Sequence, residues 1–162
     1  MRKAPFVVLA CGNPSRGDDA LGPTLLERLE IWLVRAGWAE CFELIEDFQL
    51  QIEHALDLEG RRVALFVDAG VGMSAPFALE RVPERVVPSH STHAITPSGV
   101  LDVYRRTVDG APPESWQLAV RGERFELGEG LSTQALLHLD AAWHAVEAFC
   151  HDVMVRHAAA SC

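Results

Sequence analysis

The sequence predicts an α/β fold in which a mostly parallel, twisted sheet carries helices on both faces, forming a three-layer sandwich. Short apolar runs alternate with segments whose apolar residues recur at helical spacing. Glycine, proline and aspartate separate these runs, as is typical of the tight connections in such folds. The chain has 162 residues, 49% of them hydrophobic, which suits one core better than two. We therefore expect a single domain over residues 1–162.

The first half of the chain predicts the order strand, helix, strand, helix, strand. The apolar run Phe6–Cys11 predicts a buried strand, which the stretch Gly12-Asn13-Pro14 ends. A helix is predicted from Leu21 by apolar residues at helical spacing, namely Leu25, Leu26, Leu29, Trp32, Leu33 and Ala36. Then follow a strand at 41–47, a short helix at 51–58 and a buried strand at 62–68. Such alternation favours parallel strands, with ligands bound beyond their carboxyl ends.

The second half adds two strands and two helices. A strand is predicted at 77–82, followed by a loop at 86–97 that is rich in Ser, Thr, His and Pro. A helix at 99–107 and a strand at 116–121 come next. The last helix is predicted at 133–157, with Ser132 as its N-cap.

The composition excludes several classes of function. A formal net charge of -9 without clustered Lys and Arg argues against nucleic-acid binding. No apolar stretch reaches the roughly 18 residues needed to span a bilayer, and no signal peptide is recognisable. The four cysteines lie far apart with no C-x-x-C pair, which favours reduced thiols over disulfides or a zinc ribbon; they are Cys11, Cys41, Cys150 and Cys162. We therefore expect a cytoplasmic protein.

The loop after the first strand contains two consecutive aspartates, Asp18 and Asp19, just before the first helix. Such a turn often binds phosphate, because free N–H groups at a helix N-terminus attract anions. Here two carboxylates would repel a pyrophosphate, and the G-x-G-x-x-G spacing is absent. The loop is better suited to a metal cation or to proton transfer.

Three residues together form a candidate site: Asp19, Asp68 at the end of the third strand, and His93 in the polar loop. Two carboxylates and one imidazole suit Zn²⁺, Ni²⁺, Mn²⁺ or Fe²⁺, and three protein ligands leave coordination positions open for water or substrate. An alternative without metal uses one carboxylate as the general base and His93 as the proton donor.

Each of these residues also has a simpler interpretation. Asp18 or Asp19 can cap the first helix, and we favour Asp18 for that role over Asp19. Asp68 can end a strand in a turn, and His93 can be an ordinary surface histidine. His90 and His54 are predicted to be exposed. A solvated acidic rim is predicted for Glu46, Asp47 and Glu53.

These motifs resemble those of a known family, the maturation proteases that trim the C-terminal extension of the large subunit of nickel–iron hydrogenases. The family's strand, Gly-Asn, acidic pair and Ala-x-Gly match Gly12-Asn13 and the stretch from Asp18 to Gly22. Its second motif matches Asp68-Ala69-Gly70, its third matches His93, and residues 121–132 are similar to the strand and glycine turn before its final helix. The resemblance covers most of the chain and implies a phosphorylase/hydrolase-like fold.

The resemblance also implies a function. The protein is expected to be an endopeptidase, of the aspartic or metal-dependent type, whose partner is the precursor of the hydrogenase large subunit. Asp19, Asp68 and His93 are implied to bind nickel that the precursor carries, so the resting enzyme needs no metal. The alternative is a nickel-binding maturation chaperone that uses the same three ligands without catalysis.

One departure from the family pattern concerns the partner. Many members follow the second strand with Asp-Gly-Gly-Thr, whereas here Asp47 precedes Phe48-Gln49-Leu50. This resembles the branch that serves soluble, NAD-reducing cytoplasmic hydrogenases.

Overall fold

Nine helices and strands, together with two short 3-10 turns, are present in the described part of the chain. The computed structural model describes residues 2–89, 94–158 and 162. Within them the strands are β1 (Phe6–Cys11), β2 (Phe42–Asp47), β3 (Val63–Gly70), β4 (Phe77–Arg81) and β5 (Glu114–Arg121). The helices are α1 (Leu21–Ala36), α2 (His54–Asp57), α3 (Pro97–Thr107) and α4 (Thr133–Arg156). The 3-10 turns are Gly17–Ala20 and Ala39–Cys41.

The five strands form one sheet in the order β2-β1-β3-β5-β4. All neighbouring strands run parallel except β4, which pairs antiparallel with β5 at one edge. The mostly parallel α/β sheet predicted from the sequence is therefore confirmed. In a parallel sheet the carboxyl ends of several strands meet at one edge, and this is what positions the candidate site.

Two apolar cores cover the two faces of the sheet. One core joins β1 and β3 to buried residues of α1 and α4, such as Leu29 and Leu139. The other joins the opposite faces of the same strands to α2 and α3, through residues such as Ala55 and Leu101. Alternate residues of β1 enter opposite cores, with Val8 in the first and Leu9 in the second. This double burial explains why β1 is apolar along its whole length.

The observed boundaries differ from the predicted ones by small amounts with local causes. Helix α3 begins two residues earlier than predicted, because the Thr96 hydroxyl accepts a hydrogen bond from Gly99 N and Pro97 occupies the first turn. Helix α2 is shorter than predicted. The N-cap predicted at Ser132 is confirmed, since its hydroxyl accepts a bond from Ala135 N at 3.1 Å. In the described part of the chain, no helix is long and apolar enough to cross a membrane.

The prediction of four reduced thiols is wrong for two of them. Cys41 and Cys162 form a disulfide, with 5.0 Å between their Cα atoms, while Cys11 and Cys150 are free and buried. The pairing was not predictable from the sequence because 121 positions separate the two cysteines. Helix α4 returns the chain to the amino end of the sheet, where His157 packs against Phe6 with ring centroids 5.6 Å apart.

Reduction of this disulfide is expected to lower the free energy of unfolding by roughly 2–4 kcal/mol, because the unfolded chain regains the entropy of a large loop. Chemical denaturation with and without reductant measures the change. A Cys41→Ser variant, which cannot form this disulfide, serves as the control for other effects of the reductant. Thiol titration of the unfolded, unreduced protein should find two thiols, and finding four would contradict the bond.

A bidentate ion pair joins the start of β5 to the end of α4. The two terminal nitrogens of Arg156, Nη1 and Nη2, donate to the carboxylate of Glu114 at 2.8 and 2.9 Å. These bonds hold the pKa of Glu114 below its ordinary value of 4.5. Burial acts in the opposite direction, and a further bond from Trp116 also lowers the pKa. The pair therefore stabilises the fold above pH 4.5 and ceases to do so as the pH falls through the lowered pKa.

We expect Glu114→Gln to lower the free energy of unfolding by about 1 kcal/mol at neutral pH, and by little in acid where the wild-type carboxylate is itself protonated. Urea denaturation at about pH 7 and at a pH acidic enough to protonate Glu114 in the folded protein tests this. Asp102→Asn is the matched control, because it breaks an exposed pair with Arg106 within one helix and should change stability by less than about 0.5 kcal/mol. An equal loss at both pH values would contradict the expectation.

Candidate active site

Three side chains form a row across the carboxyl edge of the sheet. Cys11 ends β1 and lies opposite Asp47, which ends β2. On the other side, Ala10 pairs with Val67, so Asp68 follows at the level of Cys11. The parallel register places all three side chains on the face covered by α2 and α3.

Asp19 reaches the same edge from the 3-10 turn Gly17–Ala20, which lies against β3. Its Oδ2 accepts a hydrogen bond from Asn13 N at 2.6 Å. The carboxylate of Asp68 accepts a bond from Ala69 N at 2.8 Å and interacts electrostatically with Asp19. The structure thus places Asp19 and Asp68 at the same edge, near enough for their charges to interact, and their role as site residues stays a prediction. His93 lies outside the described residues, as does His90.

The two aspartates create an unusual electrostatic environment. Asp68 is accessible from the edge, yet protein surrounds most of it. This burial raises the pKa of Asp68 to about 7. The bond from Ala69 opposes the increase, and the charge of Asp19 adds to it. Such a carboxyl group can accept or release a proton at neutral pH. Burial, followed by the charges of Asp68, Asp47 and Asp19, raises the pKa of Cys11 to about 12. Cys11 is therefore a protonated thiol rather than a nucleophile.

Two glycines of the motif are explained by the close packing of this loop. A Cβ on Gly12, whose φ is +147°, would lie 1.9 Å from the carbonyl oxygen of Asp19. A Cβ on Gly22 would lie 2.2 Å from the carbonyl oxygen of Cys11. Real Cβ atoms do not approach backbone so closely, so the site loop and the start of α1 can pack against β1 only without side chains at these positions.

Neither aspartate of the pair caps α1, so the capping role favoured for Asp18 is wrong. The N-cap of α1 is Ala20, with no side-chain bond. Asp18 is instead fully buried and accepts four hydrogen bonds from residues more than one hundred positions away. Burial alone would raise the pKa of Asp18, but the bonds from Ser132, Glu123 and Arg124 outweigh it and hold the pKa below its ordinary value. The local sequence favours a cap and contains no sign of these distant donors.

Asp47 and His54 differ in part from the sequence prediction. His54 was expected to be exposed but is only 6% exposed. Gln51 N donates to its Nδ1 at 2.9 Å, so the proton of the neutral ring lies on Nε2, 3.4 Å from Oδ2 of Asp47. Asp47 is half-buried, whereas Glu46 and Glu53 are exposed as expected. The prediction failed for His54 because a single turn of helix has too few residues for its buried face to be recognised.

Among the residues that the structure describes, no group of three or more His, Cys, Asp or Glu side chains is arranged to hold a metal ion. Since His93 is not among them, the predicted set of three ligands stays a prediction. Asp19 and Asp68 nevertheless supply two carboxylates at one edge, and carboxylate oxygen is a suitable donor for a divalent transition metal.

The chain shares its α/β fold with solved proteins that include an endopeptidase. More specifically, the chain has the fold of the [NiFe] hydrogenase maturation proteases, so the family resemblance predicted from the sequence is confirmed. The narrower resemblance to the branch of soluble, NAD-reducing hydrogenases stays a prediction.

The similarity extends over nearly the whole chain. The hydrogenase maturating endopeptidase HybD from Escherichia coli has a TM-score of 0.71 and 25% identity, covering 94% of each chain. The [NiFe] hydrogenase maturation protease HycI from Thermococcus kodakarensis KOD1 has a TM-score of 0.66 and 20% identity, covering 89% of this chain and 90% of that one. No known protein-family model matches the sequence, and no curated protein sequence matches it. The similarity is therefore clearer in the fold than in the sequence.

Proposed function

We propose that this protein is an endopeptidase that removes the C-terminal extension from the large-subunit precursor of a nickel–iron hydrogenase after nickel has been inserted. The observation that carries the proposal is the pairing of Asp19 with Asp68 at the carboxyl edge of a fold shared with HybD from E. coli. The two residues come from the first two motifs that carry the resemblance to the family, Asp19 from the acidic pair and Asp68 from Asp68-Ala69-Gly70.

The nickel is part of the substrate in this proposal. Asp19, Asp68 and His93 bind the nickel that the precursor carries, so only a loaded precursor is held with its scissile bond at the edge of the sheet. The enzyme can therefore distinguish the two forms of the precursor, because a precursor without nickel offers no metal for these three ligands to bind. A divalent metal beside a peptide bond lowers the pKa of a bound water to about 7 or polarises the carbonyl group.

The chain's own groups then have separate tasks. Asn13 N fixes one oxygen of Asp19, and Ala69 N fixes one oxygen of Asp68, so both carboxylates are oriented before substrate arrives. In the hydrolysis, water adds to the carbonyl carbon, the C–N bond breaks and the released amine gains a proton.

We propose the cytoplasm as the location of this reaction. Because disulfides are rare there, thiol trapping before lysis should test whether Cys41 and Cys162 are paired in the cell.

The test is to incubate the protein with a large-subunit precursor, once loaded with nickel and once without, and to measure the mass of the precursor. Loss of a C-terminal peptide from the loaded form alone supports a nickel-gated endopeptidase. Loss from both forms would refute the gating. If neither form is cut and the isolated protein binds nickel stably by titration, the chaperone alternative replaces the proposal.

A further inference from the structure

We propose that Asp18 is a positioning residue, whose carboxylate joins the turn Gly17–Ala20 to residues 122–132 and thereby fixes the carboxylate of Asp19 at the site. The inference deepens the proposed function and rests on it. The two aspartates then have different roles, because Asp19 faces the substrate and Asp18 faces the protein interior.

The carboxylate of Asp18 is saturated with donors. Its Oδ2 accepts from Glu123 N at 2.7 Å, from Arg124 N at 2.9 Å and from the Ser132 hydroxyl at 2.8 Å. Its Oδ1 accepts from Ser132 N at 2.7 Å. The residue is 0% exposed, so water cannot replace these bonds if the carboxylate is removed.

Backbone contacts reinforce the same connection. Asp18 N donates to the carbonyl of Arg124 at 2.7 Å, and Gly17 N donates to the carbonyl of Glu129 at 2.9 Å. A Cβ on Gly17 would lie 2.5 Å from the carbonyl oxygen of Arg124, which shows how closely the two segments approach. Residues 122–132 contain neither helix nor strand. Their position therefore depends on tertiary contacts such as these, together with a bond from Gly122 N to the Gly70 carbonyl at 2.9 Å.

Asp19 is the next residue in the same short turn and points elsewhere. Its N–H donates to the carbonyl of Arg16 at 3.0 Å, while its carboxylate accepts from Asn13 N at 2.6 Å. Because one short helical turn carries both aspartates, a rotation that follows loss of the Asp18 bonds also moves Asp19. A displacement of about 1 Å in a catalytic group can reduce the rate up to about 100-fold.

Asp18 also stabilises the protein, and the test has to separate that effect from positioning. Its charge lies at the N-terminus of α4, where the helix dipole favours an anion and where the Ser132 cap is one of its donors. A residue with this role alone would change stability without changing the rate of the folded enzyme. A positioning residue changes the geometry of Asp19 as well.

The experiment compares Asp18→Asn with Ser115→Ala. The asparagine keeps the shape but replaces one acceptor oxygen with an amide group that cannot accept. Ser115 is a buried hydroxyl at the start of β5 that donates to the Pro113 carbonyl at 2.8 Å, far along the strand from the carboxyl edge. Two kinds of quantity are measured well below both melting temperatures. One is the NMR shift of the Asn13 amide, and the other is the pair of rate parameters kcat and KM for cleavage of the nickel-loaded precursor.

In Asp18→Asn, the Asn13 amide proton is expected to move upfield as its bond to Asp19 lengthens, and kcat to fall at least about tenfold with KM changed less than twofold. Ser115→Ala should change neither quantity. An unchanged Asn13 signal or an unchanged kcat in Asp18→Asn would overturn the proposal. If that variant does not fold, Ser132→Ala removes one donor to Asp18 together with the N-cap bond of α4, and it must shift the Asn13 signal in the same direction for the proposal to stand.

The Asn13 measurement needs no substrate, so the two proposals can fail separately. A wild-type protein that does not cleave the loaded precursor refutes the proposed function. The Asn13 signal of the variants then still decides whether Asp18 controls the position of Asp19.

Discussion

Asp19→Ala is expected to abolish cleavage of the nickel-loaded precursor, reducing kcat/KM by about 1000-fold or more, while the protein stays folded. The side chain reaches the site from a short turn at the edge of the sheet, and its one described bond is to the neighbouring Asn13 amide. Its removal therefore takes a negative charge from the site without opening a cavity in either core. Losses of this size are typical when an electrostatic group that acts on the reacting centre is removed.

The same outcome is expected for Asp68→Ala and for His93→Ala, because each is proposed to supply one ligand to the substrate's nickel. Glu53→Ala is the matched control, since it removes an exposed carboxylate close in sequence to Asp47 and should leave the rate within about twofold. Mass spectrometry of the precursor measures cleavage, and circular dichroism verifies the fold. Cleavage at the wild-type rate by the Asp19 and His93 variants would refute the site assignment.

Gly22→Ala is expected to lower the free energy of unfolding by about 3 kcal/mol, at the upper end of the range for overpacking. The added Cβ would lie 2.2 Å from the Cys11 carbonyl oxygen and 3.3 Å from Cys11 N, and backbone atoms cannot rotate aside as a side chain can. Helix α1 must then move away from β1, which disturbs the core that Leu25 and Leu29 share with the sheet.

Gly130→Ala provides the control, because a Cβ at that position meets no atom within 4 Å and its φ lies outside the left-handed region. Its expected change in stability is within about 0.5 kcal/mol. Urea denaturation of both variants measures the difference. Equal stability of the two would show that α1 can be displaced from β1 at little cost.

The sequence predicted the sheet well because burial leaves a local pattern. β1 is apolar at every position, since both of its faces are covered, and β1 begins and ends where the pattern predicted. The first helix was equally clear from its spacing of leucines. Asp19 follows the first strand and Asp68 ends the third, so both were expected at one edge, because parallel strands bring their carboxyl ends together.

Contacts between distant residues were missed for a common reason. The bonds of Asp18 to Ser132 span 114 positions, and the disulfide from Cys41 spans 121. Neither end of such a contact alters the local pattern of the other, so a single sequence contains no trace of the pairing. An aspartate before a helix is locally a cap, and only the folded chain shows that its donors come from the far end.

The four bonds of Asp18 also determine when the site can exist during synthesis. The loop that contains Asp19 is synthesised before Ser132, which supplies two of the donors that fix it. Likewise, both edges of strand β1 are paired only after β3 has been synthesised, because β1 lies between β2 and β3. A nascent chain that ends before Ser132 therefore lacks the Ser132 bonds that hold the loop containing Asp19. The loop that carries Asp19 can therefore be fixed in place only after residue 132 has been synthesised.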